Sequence, residues 1–439
     1  MLDVRYWQLL EQKIYRRRRK NKRKKQKHKS LHSFKYLNKI KNMSPLIIKE
    51  LEKHNFLNPN YKYNAIIVPH IFSFKENFDE SILFFKKLLS SFWFGGDITI
   101  DFRQCQKTSI ANFSLLDLLL SEFQKLQKQY NEGLFYKTHK NIKVLPSLGD
   151  KKTNKYLHAF KYHPIRVEEQ DNSYFLPLYL QRGKSRKKYM ENQKSIVCAR
   201  IVDFVNESFH GTGSELNEKG VNAIEQLITE VLSNAEDHSI ANSEWYVNGI
   251  SFLEIQHDIT VVELNLAIIN IGLPMYEGFE ATKEENNRNY KKVEDCYNRH
   301  AQLFTPKRKF EKESLFMLYM LNEGISRLKY LESSRGNGTM QFIEAFITLG
   351  CFGENNPDFN SQLNIISGHS VLTCDNKYKP YLEETFKKLS LNKENSLSLL
   401  PDSNYLNYNS EYFPGTILEC KIYLNREHFD KILSGNGTE

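Results

Sequence analysis

An α+β fold is what this chain of 439 residues predicts, and three observations carry it. Residues 63–129 alternate strand-like apolar runs with amphipathic helical ones. Residues 195–237 hold two helical segments in succession. From residue 245 onward, strand-like runs alternate with further helices. A small α/β layer followed by a larger unit, with helices on one face of a mixed or antiparallel sheet, is the simplest architecture for that order. With 40% hydrophobic and 13% aromatic residues the chain can bury one large core or two ordinary ones, and two domains are expected.

Residues 1–45 read as a basic arm. The stretch 16–29, RRRRKNKRKKQKHK, runs from Arg16 to Lys29 and holds eleven Lys or Arg and no acid, so the net charge of +10 belongs to it and the rest of the chain sums to −1. Such a block repels itself and stays solvated, yet each cation can neutralise a phosphate and release counterions. A nucleic acid or an anionic surface is one expected partner. A solvated helix or tail is the other reading. Residues 30–60 are helical and polar, with Met43-Ser44-Pro45 as a break and helix start.

Residues 63–72, YNAIIVPHIF, are rich in Ile and Val and suit a buried strand. An amphipathic helix over 74–94 follows, then a Gly95-Gly96 turn, a strand at 97–102 (DITIDF), a loop at 104–109 and a leucine-rich helix over 110–129. This succession resembles the small α/β modules called STAS domains, which recur beside ATPase domains in bacterial regulators. An unrelated α/β layer has the same alternation. Residues 130–194 read as a connector, with a strand pair around 174–180 and a short basic cluster at 182–188. The expected division is 1–45 arm, 46–190 small α/β domain and connector, 191–428 main domain, and 429–439 tail.

The main unit opens with a helix over 196–209, a turn at 211–213 and a long helix over 217–237. Strands over 245–255 and 259–270 are joined by a tight turn, and the second ends in the loop Asn270-Ile271-Gly272-Leu273-Pro274. A charged, Asn-rich stretch (280–310), a helix (311–331), the loop SSRGNGT (333–339) and a helix (340–349) come next. Strands at 363–367, 370–373 and 415–424 complete it. The long helix is the unusual element. At 3.6 residues per turn, Glu230, Asn234 and His238 share one side, flanked by an apolar stripe of Ile224, Leu227, Ile228, Val231 and Leu232. A carboxylate, an amide and an imidazole on one surface predict a ligand-facing helix.

Taken in order, the motifs are E-x-x-x-N-A-x-x-H on a helix, a strand ending in x-x-G, a long insert, R-G-x-G-T entering a helix, and a strand opened by Pro414-Gly415-Thr416. This order resembles the nucleotide-binding domain of the GHKL superfamily, the Bergerat fold of gyrase B, large heat-shock chaperones, histidine kinases and MutL. The resemblance spans about residues 195–424. It implies ATP and Mg²⁺ as cofactors, with Asn234 as the Mg²⁺ ligand, an amide oxygen suiting a hard cation. Glu230 matches the carboxylate that activates the attacking water as general base; the alternative is an ordinary solvated Glu. Asp237 and His238 correspond to polar residues near the phosphates, or else cap the helix end. Arg335, Gly336, Asn337, Gly338 and Thr339 match the second glycine motif, whose backbone amides and helix N-terminus approach phosphate oxygens. Thr416 opens the closing strand. The insert at 275–332 corresponds to the family's ATP lid.

The first glycine motif departs from the pattern. Where the family has D-x-G-x-G, with the Asp accepting a hydrogen bond from the adenine amino group, this chain has Asn270, Ile271, Gly272, Leu273 and Pro274. Asn keeps a carbonyl acceptor but loses the charge-assisted part, about 1–2 kcal/mol. No histidine-kinase phospho-acceptor box lies upstream. The resemblance therefore implies a regulatory protein whose nucleotide state controls a protein partner, a slow ATPase or an anti-sigma-type kinase, in stress or phage-defence signalling, with a homodimer also open. The competing expectation is a non-hydrolysing fold acting as an interaction module through the basic arm. Six cysteines scattered singly, no C-x-x-C pair, no signal-peptide core and no run of about 18 apolar residues lead to a reduced, cytoplasmic protein as the expectation.

Overall fold

A computed structural model describes residues 46–54, 56, 65–94, 97–131, 141–162, 174–184, 191–210, 215, 218–237, 244–256, 259–284, 287–306, 309–322, 338–350, 359–384 and 386–425. The basic arm at 16–29, the glycine turn at 211–213, His238, Arg335, Gly336, Asn337 and the tail at 429–439 lie outside the described residues. The fold is α+β, with several sheets and helices.

The N-terminal layer starts with α1 (Leu46–Lys53) and β1 (Ala65–Ile67). The apolar run at 63–72 is not one strand. Pro69 has no N–H to give a ladder, so the chain leaves β1 at Val68 and re-enters as β2 (Ile71–Phe72), which pairs with β4 (Lys107–Thr108) instead. Helix α2 (Phe78–Phe94) leads to β3 (Ile98–Asp101), α3 (Ile110–Asn131) to β5 (Ile142–Leu145), and α4 (Lys151–Ala159) closes the layer. Strands β1, β3 and β5 pair in parallel in that order, so each pairing needs a helical crossover, which α2 and α3 supply. Asp150 caps α4, accepting from the backbone N–H groups of Lys152 and Thr153 at 3.0 and 3.1 Å.

The second sheet runs β6 (Phe175–Lys184), β7 (Glu244–Gln256), β8 (Ile259–Ile271), β12 (Leu406–Leu424), β9 (Gln362–Cys374), and every neighbouring pair is antiparallel. Of the mixed and antiparallel arrangements expected, the sheet takes the antiparallel one. Strand β6 falls in the stretch read as a connector and supplies the edge of this sheet, where Pro177 is tolerated. Helices α5 (Glu191–His210), α6 (Glu218–Asp237), α7 (Met275–Glu280), α8 (Asn287–Ala301), α9 (Lys312–Met320) and α10 (Gly338–Gly350) complete this unit, with the short hairpin β10 (Tyr381–Glu383) and β11 (Phe386–Lys388).

Side chains alternate across the strands. Trp245, Val247, Leu264, Leu266, Ile268, Ile365 and Ile422 face α5, α6, α9 and α10, in one core with Ile201, Phe204, Ile228, Leu232, Phe316 and Ile343. The opposite residues, Tyr246, Ile250, Phe252, Ala267, Ile269, Ile366 and Ile417, do not face water. They share a continuous core with Phe74, Phe85, Phe113, Leu116 and Leu120 of the N-terminal layer. The large sheet is therefore covered on both faces, one by its own helices and one by the α/β layer. The insert expected as a lid is largely folded: α9 buries Ser314, Leu315, Phe316, Met317, Leu318 and Tyr319 against the sheet.

Candidate functional site

The strand register places Trp245, Asn270, Thr416 and Ser367 side by side across β7, β8, β12 and β9, at the end of the sheet beneath the C-terminus of α6. Their parity with Ile268 puts them on the helix-covered face. Asn270 is only 9% exposed, and its Nδ2 donates to the Ala235 carbonyl of α6 at 2.9 Å. Ser367 Oγ donates to the Gly415 carbonyl at 3.1 Å, accepts from the Met275 N–H at 2.8 Å, and lies 2.9 Å from Thr416 Oγ1. The Gly272 N–H donates to Pro414 O at 3.2 Å, so the 270–275 loop and the 414–416 turn are stitched together.

Gly415 explains the P-G-T sequence. Its φ is +143°, and a Cβ there would lie 2.1 Å from the Asn270 carbonyl oxygen, so only glycine lets β12 approach β8 at this point. Sequence reasoning missed Ser367 and Ala235. Ser367 closes the strand-like run 363–367, but its register with Thr416 of β12 is a long-range property.

The other expected residues distribute as follows. Glu230 is half-buried on α6, one turn before Asn234. Asn234 and Asp237 belong to α6, with their side chains outside the described residues, as is all of His238. Gly338 and Thr339 open α10, which packs on α6, while Arg335, Gly336 and Asn337 just before it are not described. The structure therefore brings Asn270, Gly272 and Thr416 together under α6, on which Glu230 also lies. Among the described residues no group of three or more His, Cys, Asp or Glu could hold a metal ion.

The rear of the same strands carries buried charge. Glu263 on β8, 1% exposed, accepts from Lys152 of α4 at 2.6 Å, from Asn265 at 2.8 Å and from the Tyr423 hydroxyl at 3.1 Å, with Lys421 at 3.8 Å. Burial pushes its carboxyl up, but the two ammonium groups and the Asn265 amide outweigh burial and hold it below the usual carboxylate range. Glu419 on β12 accepts from the Ala111 N–H in the first turn of α3 at 3.0 Å and from Asn364 at 3.1 Å, so a sheet carboxylate caps a helix of the N-terminal layer. Asp117 of α3 accepts from Tyr162 and, at 2.9 Å, from Asn248, and burial raises its carboxyl above the usual range. These contacts tie the α/β layer to the strands that end in Asn270 and Thr416.

Five cysteines, Cys105, Cys198, Cys296, Cys374 and Cys420, are free thiols, and burial pushes those of Cys105, Cys198, Cys374 and Cys420 up, which keeps them protonated. A groove of about 540 Å³ lined by Leu303, Tyr378, Asn392, Lys393, Leu399 and Asp402 contains no residue of the strand-end row. No helix among the described residues is long and apolar enough to cross a membrane. No family model, curated protein or solved structure matches the chain.

Proposed function

We propose that this chain is an ATP-binding, Mg²⁺-dependent regulatory protein with a GHKL-type domain, and that it turns ATP over slowly. The observation that carries the reading is the strand-end row of Asn270, Thr416 and Ser367, tied by Asn270 to α6, the helix that bears Glu230 and Asn234. Helices packed on one face of a sheet, and a helix that begins at Gly338 directly after the R-G-N sequence, support this reading, while the wholly antiparallel pairing departs from the mixed sheet expected of a Bergerat sandwich. In this reading the row receives the base and α6 receives the phosphates. The donor chemistry fits: hydroxyl and amide oxygens at the base end, an amide and a carboxylate on the helix.

Asn234 is the residue that would hold Mg²⁺, which when bound would neutralise charge on the phosphates. In this reading Glu230, one turn earlier on α6, would take a proton from the attacking water. The glycine loop at 335–339 would give backbone amides to the phosphates. Titration with ATP, with and without Mg²⁺, tests this on the parent and on Asn234→Ala. Mg²⁺-dependent binding by the parent, lost in the variant, is expected; equal and negligible binding by both sinks the proposal. Glu230→Ala should lower turnover roughly a hundredfold or more while leaving binding in place, and unchanged turnover removes Glu230 from its role.

One sequence feature favours a second reading. The eleven cations of residues 16–29 suit phosphate contacts. If the protein ignores ATP but is retained on nucleic acid in a salt-dependent way that deletion of 16–29 abolishes, it acts as an interaction module through its arm.

A further inference from the structure

We infer that the outward face of α8 is a docking surface for the phosphate backbone of a nucleic-acid duplex, bound without regard to base sequence. It stands apart from the nucleotide reading and from the basic arm.

Helix α8 is two-sided. Tyr290, Val293 and His300 are buried, and the rings of Tyr290 and Tyr297 lie against Phe279, Phe304 and Phe316, which seats the helix beside α9. The other side carries Arg288, Lys292, Asp295 and Arg299, which recur at helical spacing, with Lys291 next to them. All five are exposed. Four cations and a single acid therefore share a face about 16 Å long at 1.5 Å per residue.

A face that is merely solvated gains from alternating signs at i, i+4. Here Arg288 and Lys292 are a like-charge pair at that spacing, and the first turn holds Arg288 but no acid, so cations stand where the helix dipole disfavours them. Among the described residues Arg288, Lys291 and Lys292 make no ion pair, and Arg299 donates to the Cys296 sulfur at 3.0 Å. Glu294, the other acid of the helix, lies toward Lys312 of α9, 3.9 Å away. The surplus extends along the chain: residues 283–312 hold nine Lys or Arg against five Asp or Glu, although everything outside 16–29 sums to −1. A polyanion would relieve this self-repulsion, each cation displacing a condensed counterion from a phosphate.

Three features select the polyanion. Asn287 and Asn298, exposed beside the stripe, are neutral donors of the kind that bond phosphate oxygens. No aliphatic side chain of α8 is exposed, so the helix has nothing to insert into a lipid surface. Its aromatic rings turn inward, so unpaired bases would find no stacking platform, and a duplex with its bases already stacked fits the face better.

Fluorescence anisotropy of a labelled DNA duplex with the full chain, read between about 50 and 200 mM salt, tests this. The parent should bind. Combining Arg288→Gln, Lys291→Gln, Lys292→Gln and Arg299→Gln should lower the slope of log affinity against log salt by roughly 3 and weaken binding throughout that range. The four side chains are exposed, so this variant should melt no lower than the parent, which separates a lost contact from a lost fold. A control that removes the same charge at other exposed positions, with Lys49→Gln, Lys143→Gln, Lys151→Gln and Lys393→Gln, should leave the slope nearly unchanged. The arm is intact in all three proteins and contributes equally to each. An unchanged slope in the α8 variant overturns the inference, as does an equal fall in the control. A parent that does not bind the duplex, whether or not it binds anionic lipid vesicles, overturns it as well.

Discussion

At the scale of single residues, buried charge on the rear of the sheet sets measurable expectations. Lys152→Met leaves Glu263 buried with only the more distant Lys421. The loss should be about 2 kcal/mol in urea unfolding, below the ~3–5 kcal/mol of a fully buried pair because the Lys152 side chain is 36% exposed. The pH dependence has two opposing signs. Glu263 has its carboxyl held below the usual range, so its contribution is complete above that range and is lost as pH falls through the lowered value. Asp117 is pushed the other way by burial, so the folded protein binds its proton more tightly than the unfolded chain. Its share of stability falls as pH rises from about 4 through the raised value. Stability curves against pH should therefore flatten on that rising side in Asp117→Asn, and an unchanged slope there would show that Asp117 is not its source. Residue chemistry of this kind was illegible beforehand. Glu263 and Asn265 look like the solvated positions of an alternating strand, and only α4 and β12 arriving from elsewhere turn them inward.

At the scale of elements, two features depart from the local pattern for identifiable reasons. Strand β12 irregularly crosses from Tyr408 to Thr416, with register shifts on either side of Phe413, and its approach to β8 depends on Gly415. Gly415→Ala should cost about 2–4 kcal/mol, since the added methyl meets backbone and the φ of +143° resists a side chain. Chemical denaturation reads this directly. Helix α9 was expected within a lid, yet Leu315 and Phe316 are fully buried. Phe316→Ala should lose about 3–5 kcal/mol; a loss near zero would return α9 to the status of a mobile cover. The helix α6 was the most legible element, because its apolar stripe and its polar stripe both repeat at 3.6 residues. Strand β6 was the least, since the sequence marks a strand only around 174–180, and its extension to Lys184 and its place at the edge of the large sheet come from pairing with β7.

At the scale of the whole molecule, the α/β layer and the antiparallel sheet share one continuous apolar core, fastened by Glu263 to Lys152, Glu419 to the start of α3, and Asp117 to Asn248. Calorimetry should accordingly give one cooperative unfolding transition for both layers, with van't Hoff and calorimetric enthalpies in agreement. Two separated transitions would mean that the shared core does not couple them. What the sequence by itself determined was the α+β class, most of the helices and strands, and the polar stripe of Glu230 and Asn234, because these follow from local periodicity. The tertiary structure alone decided that the rear of the sheet is covered, that β6 joins it, and that Asn270, Thr416 and Ser367 meet beneath Ala235. Periodicity marks which side chains are apolar or polar, while their partners depend on strand pairing across more than a hundred residues, which no local pattern encodes.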